Sequence, residues 1–324
     1  MKYRTFGRLG WKVSEIGFGG WAIGGGWGPQ EDAQSLRTLR EALDLGVNFI
    51  DTAQAYGEGR SEKLIARVLK ARGQTREVYV ATKIPPRPGP WPPSPYCKIG
   101  DRFPSDYLRE RTEQSLRNLG REAVDVLQLH TWTRAWNDET EWLETLRALV
   151  QEGKIRAIGI STPEVDQDAL NDLIRVGALD TVQVIFNIFE QKPAAQLLPL
   201  AKKHGVGIIV RCPFDESALT GKLRADTTFP EGDFRRRYFR GDRLTETLKR
   251  VRQVQQVVGD AYDSPATAAL KFSLKPDAVS TVIPGMRKVE QARQNCAASD
   301  LPDMDDPLYE KLKKQYWEKA FQYA

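Results

Sequence analysis

The chain has 324 residues, 40% of them hydrophobic, with a formal charge of +5. That length allows two domains or one α/β barrel, with a core that needs no disulfide staples, and the mild charge suits an anionic cofactor without demanding one. Cys97, Cys212 and Cys296 match no disulfide framework or metal spacing, and neither an apolar leader after Met1-Lys2-Tyr3-Arg4 nor a run of about 18 apolar residues occurs, so the expectation is a cytoplasmic protein outside the membrane.

In chain order, Lys2 to Phe6 and Trp11 to Ser14, joined through Gly7 and Gly10, read as a hairpin, and Val13 to Phe18 as a first barrel strand. Leu36, Leu39 and Leu43 keep helical spacing up to Gly46, and Val47 to Ile50 then runs into Asp51. Ser61 is placed to cap a helix carrying Leu64, Ile65 and Val68, before Val78 to Thr82 runs into Lys83. A proline-dense loop from Pro85 to Pro104 follows and reads as a stiff flap. Further helix stretches end at Gly120, Gly153, Gly177 and Gly205. The strands after them are Val124 to Leu129 into His130, Ile155 to Ile160 into Ser161, Thr181 to Ile185, and Val206 to Val210 into Arg211. Ser264-Pro265 opens the helix before Val279 to Ile283, which stops at Pro284-Gly285, and Leu308 to Phe321 covers the barrel or meets a partner.

Strands alternating with helices imply parallel pairing, and eight such units close into a ring. The expected fold is therefore α/β: a (β/α)8 TIM barrel with an N-terminal β-hairpin and long loops at the C-terminal rim, one domain over 1–324. A doubly wound sheet would gather its ligand at one switch point, whereas here reactive residue types end many strands.

Asp51, Lys83 and His130 end successive strands, and Tyr56 follows Asp51 in a Tyr-Gly-Glu-Gly turn. A lysine cation favours phenolate and lowers a tyrosine's pKa, an aspartate holds the lysine, and a neutral histidine donates to a carbonyl oxygen. Together they make a proton donor for an oxygen that becomes alkoxide as hydride arrives at its carbon, with no metal required. Each residue alone has a structural reading; three at successive strand ends, with Tyr56 just past the first, do not share one. His204, before Gly205, reads as structural, and Arg235 to Arg240 as a solvated, partly helical segment rather than a nucleic-acid patch.

The segment Asp51-Thr52-Ala53-Gln54-Ala55-Tyr56-Gly57 with Ser61-Glu62 resembles the signature of the aldo-keto reductase family. Lys83, Leu127-Gln128-Leu129-His130, Gly153-Lys154-Ile155-Arg156, Gly159-Ile160-Ser161 and Ile283-Pro284-Gly285 follow in family order. The resemblance runs from about Tyr3 to about Asn295. It implies a barrel that reduces an aldehyde or ketone reversibly with NADPH, NADH being possible, and uses Asp51, Tyr56, Lys83 and His130 as a catalytic tetrad. It further implies that Ser161 and Gln183 hold the nicotinamide carboxamide, and that Arg211, Pro213 and Phe214 belong to a loop over the pyrophosphate. Gly285, Arg287, Lys288, Gln291 and Asn295 would grip the adenosine end, Arg287 and Lys288 meeting a 2′-phosphate. Thr162 stands where many members have Asn, and Arg211 where many have an aromatic, so both contacts depart from the pattern.

Gly17-Phe18-Gly19-Gly20 lacks the spacing of a dinucleotide fingerprint. Gly20 is expected to let the backbone approach the nicotinamide, while Trp21, Trp91 and Trp132 wall the substrate pocket; Trp136 reads as loop packing. The partner is a small-molecule carbonyl or alcohol, with no nucleic acid and no membrane. A cofactor-binding redox sensor or regulatory subunit with little turnover is the alternative from another class, and the complete tetrad argues against it. A metal-dependent hydrolase suffers from having only His130 and His204 to offer.

Overall fold

The computed structural model describes residues 1–73 and 77–319. A two-stranded antiparallel hairpin comes first, β1 (Tyr3–Phe6) and β2 (Trp11–Ser14), turned through Gly7 and Gly10 at positive φ. Parallel strands follow: β3 (Phe18–Gly19), β4 (Phe49–Asp51), β5 (Tyr79–Ile84), β6 (Val124–Leu129), β7 (Ile155–Ser161), β8 (Thr181–Ile185), β9 (Gly207–Arg211) and β10 (Val279–Val282). Each pairs with the next in chain order. The ring closes where its ends meet: Ile16 bridges Val282, Gly19 bridges Gly285, and the Gly17 amide donates to the Val282 carbonyl at 2.8 Å. This is the expected barrel.

The expected first strand, Val13 to Phe18, is divided. Val13 and Ser14 pair with Arg4 and Tyr3 in the hairpin, and the Ser14 amide donates to Asn48 Oδ1 at 2.7 Å. Backbone groups already engaged there cannot also serve the barrel ladder, so only Phe18 and Gly19 run as β3.

The helices are α1 (Asp32–Asp44), α2 (Arg60–Arg72), α3 (Ile99–Arg102), α4 (Ser105–Leu119), α5 (Glu141–Gln151), α6 (Asn171–Arg175), α7 (Leu197–His204), α8 (Phe234–Tyr238), α9 (Arg243–Val258), α10 (Pro265–Leu274), α11 (Val289–Ala297) and α12 (Asp306–Lys313). The longer ones turn an apolar stripe inward, as Leu36, Leu39 and Leu43 of α1 illustrate. Ser264 caps α10 as expected, accepting from the Thr267 amide at 3.2 Å. Ser61 does not cap α2; Gly59 takes that position, and Ser61 lies buried in the first turn, donating to the Gly20 carbonyl at 2.9 Å. Beside it the buried Glu62 accepts from Thr82 Oγ1 (2.6 Å) and Asn118 Nδ2 (2.7 Å). The Ser61-Glu62 pair therefore ties α2 to the barrel and to α4.

The hairpin closes the lower end of the barrel. Phe6 and Val13 are fully buried with Phe49, Ala81, Val126, Ala157, Ile209 and Ile283, and the Phe6 ring meets Phe49 edge-on at 5.3 Å. Gly207 is required beneath it, because a Cβ there would lie 2.7 Å from the Phe6 ring. With the bottom filled, any ligand enters from the top. Phe6→Ala should therefore cost about 3–5 kcal/mol. Urea unfolding measures this, and a loss under about 1 kcal/mol would show that the plug is dispensable.

Candidate active site

Side chains along a strand alternate faces, so residues two apart share one. Phe49, Ala81, Val126, Ala157 and Ile209 fill the lower lumen; two residues on stand Asp51, Lys83, Gln128, Gly159 and Arg211. The same inner face is thus apolar below and polar at the rim. Tyr56 arrives from the loop after β4. A Cβ on Gly24 would lie 2.8 Å from the Tyr56 backbone, and one on Gly57 (φ +64) would lie 2.2 Å from the Gly24 carbonyl. Two glycines therefore let these loops touch and fix the tyrosine.

The four predicted residues converge. Lys83 Nζ donates to Asp51 Oδ2 at 2.6 Å, to the Thr52 carbonyl at 2.8 Å and to Tyr56 Oη at 3.1 Å. Asp51 Oδ1 accepts from Gln183 Nε2 at 2.7 Å and Gln128 Nε2 at 3.3 Å. The His130 ring stands 5.6 Å from the Tyr56 ring, nearly edge-on, and its Nδ1 is buried without a partner. Burial, with Lys83 and Arg211 nearby, pushes its pKa well below the usual imidazole value, so the ring is neutral. Burial also depresses the Lys83 ammonium, against the Asp51 carboxylate that supports it.

The tyrosine differs from expectation. Lys83 was expected to lower its pKa, yet the phenol is raised well above 10, first by burial and then by the Asp51 carboxylate, with Arg211 opposing. Desolvation governs. The phenol keeps its proton.

Above these groups opens a cavity of about 410 Å³. Trp21, Asp51, Ser161, Gln183, Arg211, Pro213, Phe214 and Gly285 line it as predicted, and so does Trp91, whose ring meets His130 edge-on at 5.8 Å. The loop carrying Trp91 is built around Arg102, which is buried and donates to the carbonyls of Arg87 (2.8 Å) and Pro90 (3.2 Å). Ser161 and Gln183 are register partners on β7 and β8. Three predictions need correction. Gly20 does not line the cavity: its amide donates to the Asp51 carbonyl at 2.8 Å, and a Cβ would strike that oxygen, so it serves packing against β4. Thr162 does not line it either, its hydroxyl being held by Gln167 Oε1 at 2.7 Å. Trp132 is fully buried against Trp136 and Trp142 and belongs to the core.

A second groove of about 930 Å³ runs outward from the first, the two sharing Ala22, Trp27, Phe214, Ser217 and Gly285. Arg287, Lys288, Gln291 and Asn295 line it as predicted. The Arg287 guanidinium is engaged, however, donating to Gln30 Oε1 (2.9 Å) and to the carbonyls of Trp27 (2.6 Å) and Pro29 (2.5 Å). It clasps the loop after β3. Lys222, Lys288 and Arg293 are exposed cations on the groove wall, Arg293 paired with Glu41 at 2.6 Å.

Several lining residues were not foreseen. Trp27, Phe234 and Arg237 join the cavity, and Glu164 and Glu216 bring carboxylates to it. Phe234 meets Trp21 edge-on at 5.4 Å, and Arg235 stacks over Trp27 at 4.5 Å, so the basic stretch read as solvated is in part a roof. Its interleaved aromatics were the available signal. Arg211 donates to the Thr162 carbonyl (3.1 Å) and to Glu164 (3.2 Å), which fixes it at the rim. Cys212 Sγ donates to Glu216 Oε1 at 3.3 Å, and Glu216 Oε2 is buried without a partner.

The sequence pattern of the Aldo/keto reductase family matches residues 15–315. The chain belongs to that family. It is 32% identical over 296 residues to the aldo-keto reductase YhdN of Bacillus subtilis, covering 90% of this chain and 86% of that one. It is 30% identical to the NADH-specific methylglyoxal reductase of Escherichia coli, covering 96% and 98%. Its fold superposes on the glycerol dehydrogenase AKR11B4 of Gluconobacter oxydans with a TM-score of 0.78 at 27% identity, covering 97% and 94%. The protein is an NAD(P)H-dependent oxidoreductase of this family. The residues fit such a cofactor: the cavity and groove form one path, Gly285 presents open backbone between them, and Asn295 Nδ2 is a buried donor with no partner.

Burial raises the Glu216 carboxyl to about 7, while the Cys212 thiol, Arg211 and Lys319 favour its charged form and Asp215 disfavours it. A carboxyl with a raised folded-state pKa opposes folding progressively as pH rises past its unfolded value, and fully above the folded one. Glu216→Gln should thus stabilise the protein most above about pH 7 and least near about pH 4.5. Thermal midpoints across that range test this; a gain independent of pH would refute the assignment.

Proposed function

We propose that this reductase converts an aldehyde or ketone to its alcohol with NADPH, with Tyr56 giving the proton and Asp51, Lys83 and His130 completing the site. The contact that carries the reading is Lys83 Nζ, 3.1 Å from Tyr56 Oη while held by Asp51 at 2.6 Å, beneath a cavity open to the rim. When bound, the nicotinamide supplies the hydride. Ser161 and the side-chain oxygen of Gln183 hold its carboxamide, since the Gln183 nitrogen already serves Asp51. Arg211, Pro213, Phe214 and Gly285 line the path of the pyrophosphate, and Gln291 and Asn295 flank the adenosine end.

A phenol held well above its ordinary pKa is protonated at neutral pH, the state that reduction needs. As the substrate oxygen gains charge, neutral His130 donates an N–H to it and Tyr56 releases its proton. Lys83 then stabilises the phenolate left behind, and Asp51 keeps Lys83 aimed. Trp21, Trp27, Trp91 and Phe234 give the cavity an aromatic wall for the rest of the substrate. The unpaired thiols of Cys97, Cys212 and Cys296 fit work in the cytosol.

Tyr56→Phe should lower kcat by about 10²–10⁴-fold and leave the Kd for NADPH within about twofold. Full turnover in that variant would remove Tyr56 from its role. In the wild type, reduction should hold steady between about pH 6 and 8, while alcohol oxidation rises with pH, because it requires Tyr56 deprotonated.

Lys288 and Lys222 supply the charge for a 2′-phosphate, and Arg287 shapes the groove through its carbonyl contacts. Lys288→Ala should weaken NADPH about tenfold and spare NADH. Arg287→Ala should weaken both, because it frees the loop from Trp27 to Gln30. Fluorescence titration decides: a loss confined to NADPH in Arg287→Ala would return the phosphate to Arg287.

A further inference from the structure

The turn after β9 is strained. Four of its six residues are non-glycine residues in the left-handed region: Cys212 (φ 52), Asp215 (φ 47), Glu216 (φ 55) and Ser217 (φ 77). Such conformations persist only where the surroundings over-determine them. Cys212, Pro213, Phe214, Glu216 and Ser217 line the cavity, and Asp215 alone does not.

Asp215 is fully buried on the other side of the turn. Lys319 Nζ donates to its Oδ1, and Tyr238 Oη donates to its Oδ2 at 3.3 Å. Lys319 Nζ also reaches Tyr238 Oη at 3.1 Å, and its side chain is only 4% exposed. The segment leading to Lys319 is itself fastened. Gln191 Nε2 donates to the Lys313 carbonyl at 3.2 Å, and the Trp317 amide donates to the Phe189 carbonyl at 3.0 Å. The Trp317 ring lies edge-on to Phe189 and beneath the Arg250 guanidinium at 4.5 Å. A buried ion pair across a separation of 104 residues thus joins the end of the described chain to the cavity wall.

We infer that Lys319 is a positioning residue: through Asp215 it holds the 212–217 turn in the shape that receives the cofactor, making the C-terminal segment part of the binding site. This rests on the reading of the cavity as the nicotinamide-cofactor site. Stability alone does not require the ion pair, since a buried pair is frequently replaceable by apolar groups, whereas removing one partner strands the other's charge. That asymmetry separates a positioning role from a merely structural one. Lys319→Met takes the ammonium away from the buried Asp215 carboxylate and releases the turn; Lys319→Met with Asp215→Asn removes the carboxylate charge as well but leaves the turn released.

The test is NADPH titration of the wild type, Lys319→Met, Lys319→Arg and the double variant, each with its thermal midpoint and its single-turnover hydride-transfer rate at saturating NADPH. Lys319→Met should lower the midpoint and raise the NADPH Kd at least about tenfold, with the saturated transfer rate within about threefold. Lys319→Arg should restore most of the affinity. The double variant should recover the midpoint but not the affinity. Affinity that returns with the midpoint, or a Lys319→Met Kd within about twofold of wild type, would overturn the inference and leave the reductase reading intact. A wild type that binds neither NADPH nor NADH would overturn both.

Discussion

One carboxylate organises the upper half of the barrel. Asp51 is almost fully buried, and an ionised group there is tolerable only with partners on both oxygens. It has them: Lys83 on one side, Gln183 and Gln128 on the other. Those partners come from β5, β8 and β6, so the bonds that satisfy one charge also span the lumen and set the rim. The same carboxylate bears on Tyr56: with burial as the larger cause, its charge holds the phenol well above its ordinary pKa.

Around this centre the site is assembled from segments that hold one another. The loop after β3 is clasped from one side by Arg287 and from the other by Asp233 and Arg235, which meet Trp27 through a backbone bridge and a stacked guanidinium. The turn after β9 is held from behind by Lys319. Neither segment has the regular hydrogen bonding of the strands, and both depend on side chains that are distant in sequence. The barrel supplies rigidity from below; the rim takes its shape from these clasps.

The fold was legible because its signals are local. Glycines after apolar stripes, and apolar runs ending in a polar residue, mark strands and helices without knowledge of their partners. Asp51, Lys83 and His130 could be grouped because parallel strands bring their C-terminal ends to one rim, and Tyr56 because it follows Asp51 closely. Contacts between distant segments were not legible. Arg287 carries the same charge whether it meets a phosphate or three oxygens of another loop. Trp132 lies just past a rim residue, yet Trp136 and Trp142 offer it a better burial. The signature pair Ser61-Glu62, whose serine reads as a helix cap in sequence, is a node of buried hydrogen bonds in space. Lys319 gave no signal at all, since nothing near it in the chain hints at Asp215.

Closure of the ring has a consequence for how the protein comes into being. The bridges Ile16 to Val282 and Gly19 to Gly285 join segments at opposite ends of the sequence, and contacts of such high separation form late, after long stretches of chain have already ordered. Ile283 and Gly285 also line the cavity. During synthesis, β4, β5 and β6 leave the ribosome well before β10, whose segment completes the seam. The pocket is complete only with the segment after β10 in place, so a ligand that binds it favours the closed ring over any open form.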